Sequence, residues 1–246
     1  MYNQFIYQPI LSTLLWLYQV TGHNLGFAII LLTLVIRGIL IPFTLPQLRS
    51  AKKMALLKPE LDALKKKHGH DAKLFQQKQL EFYKTRGVNP AAGCLPFIAQ
   101  FIVLIALYQV FMKTLGGDGM GEINATFLLW DLKSKDTTYI LPVLAGLLQF
   151  VMSLTILPAV ENQPEKRPGT PEQKQDVAEM ATSMQQQMVF MMPIMTVIFS
   201  IQFPSGLALY WVITTAFSLV QQLMVSGPGA LLTYAYKFRI LKNKNI

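Results

Sequence analysis

The chain has 246 residues, of which 52% are apolar and 14% charged, where soluble domains run at roughly 45–50% and about 25%. Lys and Arg number 22 against 13 Asp and Glu, a net charge of +9. The apolar content excludes a disordered chain, the single cysteine, Cys94, excludes an internal disulfide scaffold, and charge this sparse leaves long stretches with none, so the class that remains is an integral membrane protein.

Residues 1–24 carry no Lys, Arg, Asp or Glu. With no basic start and no small-residue cleavage site, they do not read as a signal peptide. Gln4, Gln8, Ser12 and Gln19 fall near one helical face and Phe5, Leu11, Leu15 and Tyr18 elsewhere, while Trp16 and Tyr2, Tyr7 and Tyr18 suit the headgroup level. The pattern predicts an N-terminal interfacial helix on the outer leaflet; the alternative is a disordered or tucked-in tail. Residues 25–45 hold one charge, Arg37, and are long enough for one span, since a hydrocarbon core of about 30 Å takes roughly 20 helical residues.

Residues 46–93 are polar, with 11 basic and 4 acidic side chains. Leu56, Leu57, Leu61 and Leu64 recur at helical spacing, as do Leu74, Phe75, Phe82 and Tyr83. The intervening His68-Gly69-His70-Asp71 reads as a turn that caps the second helix, which makes the segment a basic helical hairpin in the cytoplasm. Residues 94–112 and 139–157 are uncharged, one span each, on either side of an outer loop at 113–138 with 3 basic and 4 acidic residues. Residues 158–187, with Pro164, Pro168, Gly169 and Pro171, read as a flexible cytoplasmic loop. The 38 uncharged residues that follow would make one helix of roughly 57 Å, nearly twice the membrane. Phe203-Pro204-Ser205-Gly206 divides them into spans at 188–203 and 207–225. Residues 226–246 form a basic tail. The basic hairpin and tail belong on the cytoplasmic side, leaving the N-terminus outside a multi-pass protein of the cell membrane. The fold expected is all-α, with five transmembrane helices around a hydrophilic groove.

Arg37 is the one charge inside any of these spans, about 8 residues and so roughly 12 Å from position 45. An arginine deep in the bilayer costs about 2.5–3.5 kcal/mol or more, and its usual remedy is a carboxylate on a neighbouring helix. Here all 13 acids lie in the loops, so Arg37 is hydrated, bonded to neutral groups, or snorkelling to the cytoplasmic face. Polar residues elsewhere in the spans favour a wet, positive groove. Thr33 lies one turn before Arg37, and Trp211, Thr215, Ser218 and Gln222 make one helical stripe. Gln100, Gln109, Gln149, Ser153, Ser200 and Gln202 add neutral hydrogen-bonding groups, each alone compatible with an ordinary interhelical bond.

Three runs carry a resemblance: Thr33-Leu34-Val35-Ile36-Arg37-Gly38, Asn89-Pro90-Ala91-Ala92-Gly93-Cys94-Leu95-Pro96 with Gln100, and Phe203-Pro204-Ser205-Gly206-Leu207-Ala208-Leu209-Tyr210-Trp211. In this order over residues 20–226, with Trp130-Asp131-Leu132 in the outer loop, they resemble the YidC family of membrane protein insertases, relatives of the mitochondrial and chloroplast insertases. The resemblance implies a five-helix core around a groove open to cytoplasm and lipid. It places the groove arginine at Arg37, the groove threonine at Thr33, the aromatic of the last helix at Trp211 and a groove glutamine at Gln149. It also implies that the cytoplasmic hairpin receives substrate and meets targeting factors. The short form, without a large periplasmic domain, is the expected version.

The expected partners are nascent membrane proteins, anionic lipids and, through Lys52, Lys53, Lys65, Lys66 and Lys67, a ribosome or targeting receptor, with or without a Sec translocon. The same lysines also suit simple contact with anionic lipid. No cofactor, metal site, DNA partner or enzymatic chemistry is expected. A channel or transporter would need intramembrane carboxylates or paired broken helices. An intramembrane protease fails on inventory, since His23, His68 and His70 lie outside the spans and no H-E-x-x-H occurs. A scaffold or assembly chaperone of the same fold would tolerate loss of Arg37.

Overall fold

The computed structural model describes residues 3–69, 71–88, 95–115, 123–156 and 177–227. Among them are α1 (Gln8–Val20), α2 (Leu25–Leu56), α3 (Lys58–His68), α4 (Ala72–Thr85) and α5 (Leu95–Leu115). A two-stranded hairpin follows, β1 (Thr126–Phe127) with β2 (Trp130–Asp131), and then α6 (Ile140–Ile156), α7 (Val177–Gln202) and α8 (Ser205–Ser226). Cys94, His70 and the tail beyond residue 227 lie outside the described residues. Among the described residues the protein is all-α apart from that hairpin.

Apolar composition makes α2 and α8 long enough to cross a membrane, and shorter apolar runs occupy Gln100–Met112, Ile140–Thr155 and Phe190–Gln202. Helices α2 and α8 pack side by side, α6 lies against α7 and α8, and α1 lies across α2. Each apolar helix also turns large side chains outward, among them Phe43 on α2, Phe101 on α5, Leu147 on α6, Phe190 on α7 and Met224 on α8. A surface so apolar on every side belongs in lipid.

Two helix boundaries differ from the sequence reading. Helix α2 does not stop near residue 45 but runs through Pro42 and Pro46 to Leu56. Each proline removes a helical N–H, and a membrane helix tolerates the loss when its freed carbonyls find other partners. Helix α7 starts at Val177, so part of what reads as loop 158–187 is helical. Beyond α2, Asp71 Oδ1 accepts from Lys73 N at 3.0 Å and Leu74 N at 3.1 Å, the cap that its position before α4 predicts. The Arg86 guanidinium of the chain just past α4 donates to Glu60 of α3 and stands 5.6 Å over the Phe82 ring.

The N-terminal segment is helical and packed inward. Tyr7, Leu11, Leu14, Leu17 and Tyr18 join the core with Leu25, Ile29 and Phe111, while Phe5 and Trp16 face outward. The Tyr18 hydroxyl accepts from Asn124 N at 2.9 Å, tying α1 to the segment just before β1.

Candidate functional site

Burial along the helices is uneven, and the unevenness frames the site. The fully buried residues of α2 are Leu25, Gly26, Ala28, Ile29, Leu32 and Thr33; none occurs beyond Thr33. Among the described side chains of α5, residues 100–112, the buried ones are Ala106, Leu107, Val110 and Phe111, in the later half of that stretch. All these, with the first turns of α8, gather at the end of the molecule that carries the β-hairpin. Packing loosens one turn before Arg37.

The hairpin end is shut by hydrogen bonds that the chain makes to the α7–α8 turn. Ser205 Oγ donates to Asp131 O at 2.6 Å, Ser205 N to Ser134 O at 2.7 Å and Gly206 N to Leu132 O at 3.2 Å. A Cβ on Gly206 would stand 2.6 Å from Phe111 Cε1 and 3.1 Å from Leu132 O, so only glycine fits there. Asp136, buried in the same loop, accepts from Thr138 Oγ1, Thr138 N, Leu141 N and Trp130 Nε1. Burial alone would raise its pKa, but these hydrogen bonds outweigh it and hold the carboxyl below its ordinary range.

At the loosened level, Arg37 Nη2 donates to Gln100 Oε1 at 2.5 Å, and Gln100 Nε2 donates to the Tyr210 hydroxyl at 3.0 Å. Three helices, α2, α5 and α8, thus meet in one polar chain. The ion pairs Lys78–Glu81 and Arg86–Glu60 lie in the α3–α4 hairpin, and the bond that Arg37 makes among the described residues goes to a neutral amide. The structure therefore brings together two of the sequence candidates, Arg37 and Gln100, and adds Tyr210.

The other candidates lie as follows. Thr33 is buried, and its hydroxyl donates to Ile29 O of its own helix at 2.6 Å. Gln149 is half-buried on α6, where Ser153 Oγ donates to its carbonyl at 2.9 Å. Ser200 is buried on α7 without a partner for its hydroxyl among the described residues. On α8, Thr215 and Gln222 are buried while Trp211 and Ser218 are half-buried. Of the lysines, Lys52 Nζ donates to Val225 O at 2.9 Å, capping the last turn of α8. Lys53 and Lys67 are exposed and Lys65 is half-buried; the Lys66 side chain lies outside the described residues. Among the described residues no cluster of metal-ligating side chains occurs. The sequence does not single out Tyr210, whose one signal is its place beside Trp211 in the same run.

The profile of the family described as "60Kd inner membrane protein" matches residues 16–229. Two relatives share most of the length. The chain is 33% identical over 231 residues to "Membrane protein insertase MisCA" of Bacillus subtilis (strain 168), covering 92% of this chain and 80% of that protein. It is 35% identical over 232 residues to "Membrane protein insertase YidC 2" of Bacillus anthracis, covering 92% and 82%. The chain belongs to the YidC family. In this YidC-family protein the matched region takes in both ends of the polar chain, from Arg37 to Tyr210. Family membership and the apolar helices together make it a membrane protein.

Proposed function

We propose that the chain is a membrane protein insertase whose working part is a positive, hydrated groove lined by Arg37, Gln100 and Tyr210. The observation that carries this reading is the bond partner of Arg37, a neutral amide in place of a carboxylate. An ion pair would cancel the charge, whereas an amide orients the guanidinium and leaves it cationic. The names of the relatives support the same activity.

In this reading α2, α5, α6, α7 and α8 are five spans, with the β-hairpin end outside and the basic α3–α4 hairpin in the cytoplasm. The loosened packing past Thr33 opens the groove toward the cytoplasm, while the clamped α7–α8 turn seals it outside. A short polar tail of a nascent protein enters, and water with Arg37 replaces part of its lost hydration; acidic residues in the tail are drawn to the cation. The substrate's apolar helix then moves into lipid, and its burial drives the tail across. No covalent bond is made or broken. The exposed lysines of the hairpin receive the chain from ribosome or targeting receptor.

The test is insertion of a short-tailed single-span protein into liposomes holding the purified chain. Wild type should insert it, Arg37→Lys should retain insertion and Arg37→Ala should lose most of it. Equal insertion by all three would show that the cation is dispensable. No insertion even by wild type would favour a scaffold.

A further inference from the structure

The connection between β1 and β2 is a two-residue turn, Leu128-Leu129, with Phe127 paired to Trp130. Both leucines stand out from the surface, at 76% and 75% exposure. Leu128 has φ of +53°, at the first turn position, where a hairpin ordinarily carries glycine. A leucine there is strained whatever surrounds it, and two bare leucines at a tip are unfavourable in water. Strain and apolar exposure coincide at one spot.

The tip is not isolated. The Phe127 ring behind it packs on Gly26, where a Cβ would fall 2.1 Å from the ring, and meets Phe27 edge-on at 5.4 Å. Phe27 begins the outward stripe of α2 that continues through Leu31, Leu34 and Val35, all exposed and at helical spacing. The leucine tip therefore prolongs that stripe beyond the first turn of α2. Exposed Lys133 follows β2, with exposed Asp131 nearer the tip, and exposed Lys135 bridges to Pro204 at the α7–α8 turn; the two lysines put cations on the same loop as the apolar tip, a pairing that suits acyl chains and lipid phosphates.

We infer that Leu128 and Leu129 insert into the outer leaflet as a lipid anchor, fixing the depth at which the outer end of α2 sits. The anchor's occupant is the acyl region of the bilayer. This rests on the reading of α2 as a span, and the experiment separates the two. The full chain carrying Cys94→Ser receives single cysteines at Leu129, Leu34 or Lys133, each labelled with an environment-sensitive NBD fluorophore. Each is then reconstituted in phosphatidylcholine–phosphatidylglycerol vesicles with iodide on both faces.

The label at Leu129→Cys should emit blue-shifted light and resist iodide. It should lose more than half of its intensity to lipids carrying a nitroxide near the headgroup, and less to lipids carrying it at the bilayer centre. The label at Leu34→Cys should be quenched by nitroxide lipids, and that at Lys133→Cys by iodide. Iodide quenching at Leu129 with lipid quenching at Leu34 overturns the anchor alone; no lipid quenching at Leu34 overturns the span and the anchor together. Protection at Leu129 that ignores nitroxide lipids but grows with the protein-to-lipid ratio overturns it in favour of a second copy. If Leu129→Cys loses its helical circular dichroism, Leu128→Cys carries the same test.

Discussion

Direction is built into the Arg37–Gln100–Tyr210 chain at the residue scale. A guanidinium only donates and a glutamine amide has one accepting end, so Oε1 faces Arg37 and the NH2 must find its acceptor in the tyrosine oxygen. Tyr210→Phe should cost about 1 kcal/mol in detergent unfolding and lower insertion by freeing the amide. Gln100→Glu should keep the fold but depress insertion of acidic tails more than Gln100→Leu does, because a carboxylate neutralises the cation. Asp136 gives a pH signature in the loop between β2 and α6. Its folded pKa is depressed, so its stabilisation is present above the unfolded carboxylate value near about 3.9 and is lost as pH falls through the lower folded value. Asp136→Asn should cost about 1–3 kcal/mol near neutral pH, and the gap to wild type should close below about pH 4 in a denaturation series. Arg37 and Gln100 were legible in the sequence because a charge without a carboxylate in an apolar run demands a neutral partner. Tyr210 was not, since it lies 110 residues from Gln100 and the stripe through Trp211 drew attention to the neighbouring face.

Helices and turns tell a second part. The clamp around Ser205 and Gly206 joins α8 to the β-hairpin through backbone groups, so its strength depends on close approach. Gly206→Ala should destabilise by about 1–3 kcal/mol, because Phe111 and the Leu132 carbonyl block the added methyl; a lowered melting midpoint in detergent would register it. The split of residues 188–225 was legible, since an uncharged run of that length with a Pro-Ser-Gly break cannot be one span. The α1 helix was legible as a helix, but its burial against α2 and α5 depends on Tyr7, Leu14 and Leu17 finding Phe111 and Ile29, which no local pattern encodes. Helix α2 carries on past the apolar stretch at 25–45 for a definite reason. Pro42 and Pro46 free the carbonyls of Gly38 and Pro42, and loose packing at that level leaves room for water to bond them, so the helix runs on.

At the scale of the whole molecule the contrast between the tight and loose ends of α2 and α5 is the main legacy of the fold, while α6 and α8 stay buried at Ser153, Thr155 and Gln222. It was not visible in composition, since apolar residues fill both ends of each apolar helix; only long-range packing separates them. A cysteine at Gly38, where an added Cβ meets nothing within 4 Å, should react with a membrane-impermeant maleimide supplied from the side of the α3–α4 hairpin. A cysteine at Ala28, fully buried, should not. Equal protection of both would mean that the level of Arg37 is dry.

The unbroken α2 also has a mechanical meaning. Its first nine residues are gripped by the core, and 23 more project from that grip to the hairpin. Further along, Lys52 Nζ on Val225 O and Gln221 Nε2 on Thr44 Oγ1 tie the shaft to α8, so it swings as a lever only together with α8. A tilt of about 5° about Ile29 would carry Leu56 roughly 3.5 Å sideways and Arg37 roughly 1 Å, at about 1.5 Å of rise per residue. A load placed on the α3–α4 hairpin is thereby geared down threefold or more before it reaches the guanidinium, with Pro42 and Pro46 as the two points where the shaft can flex.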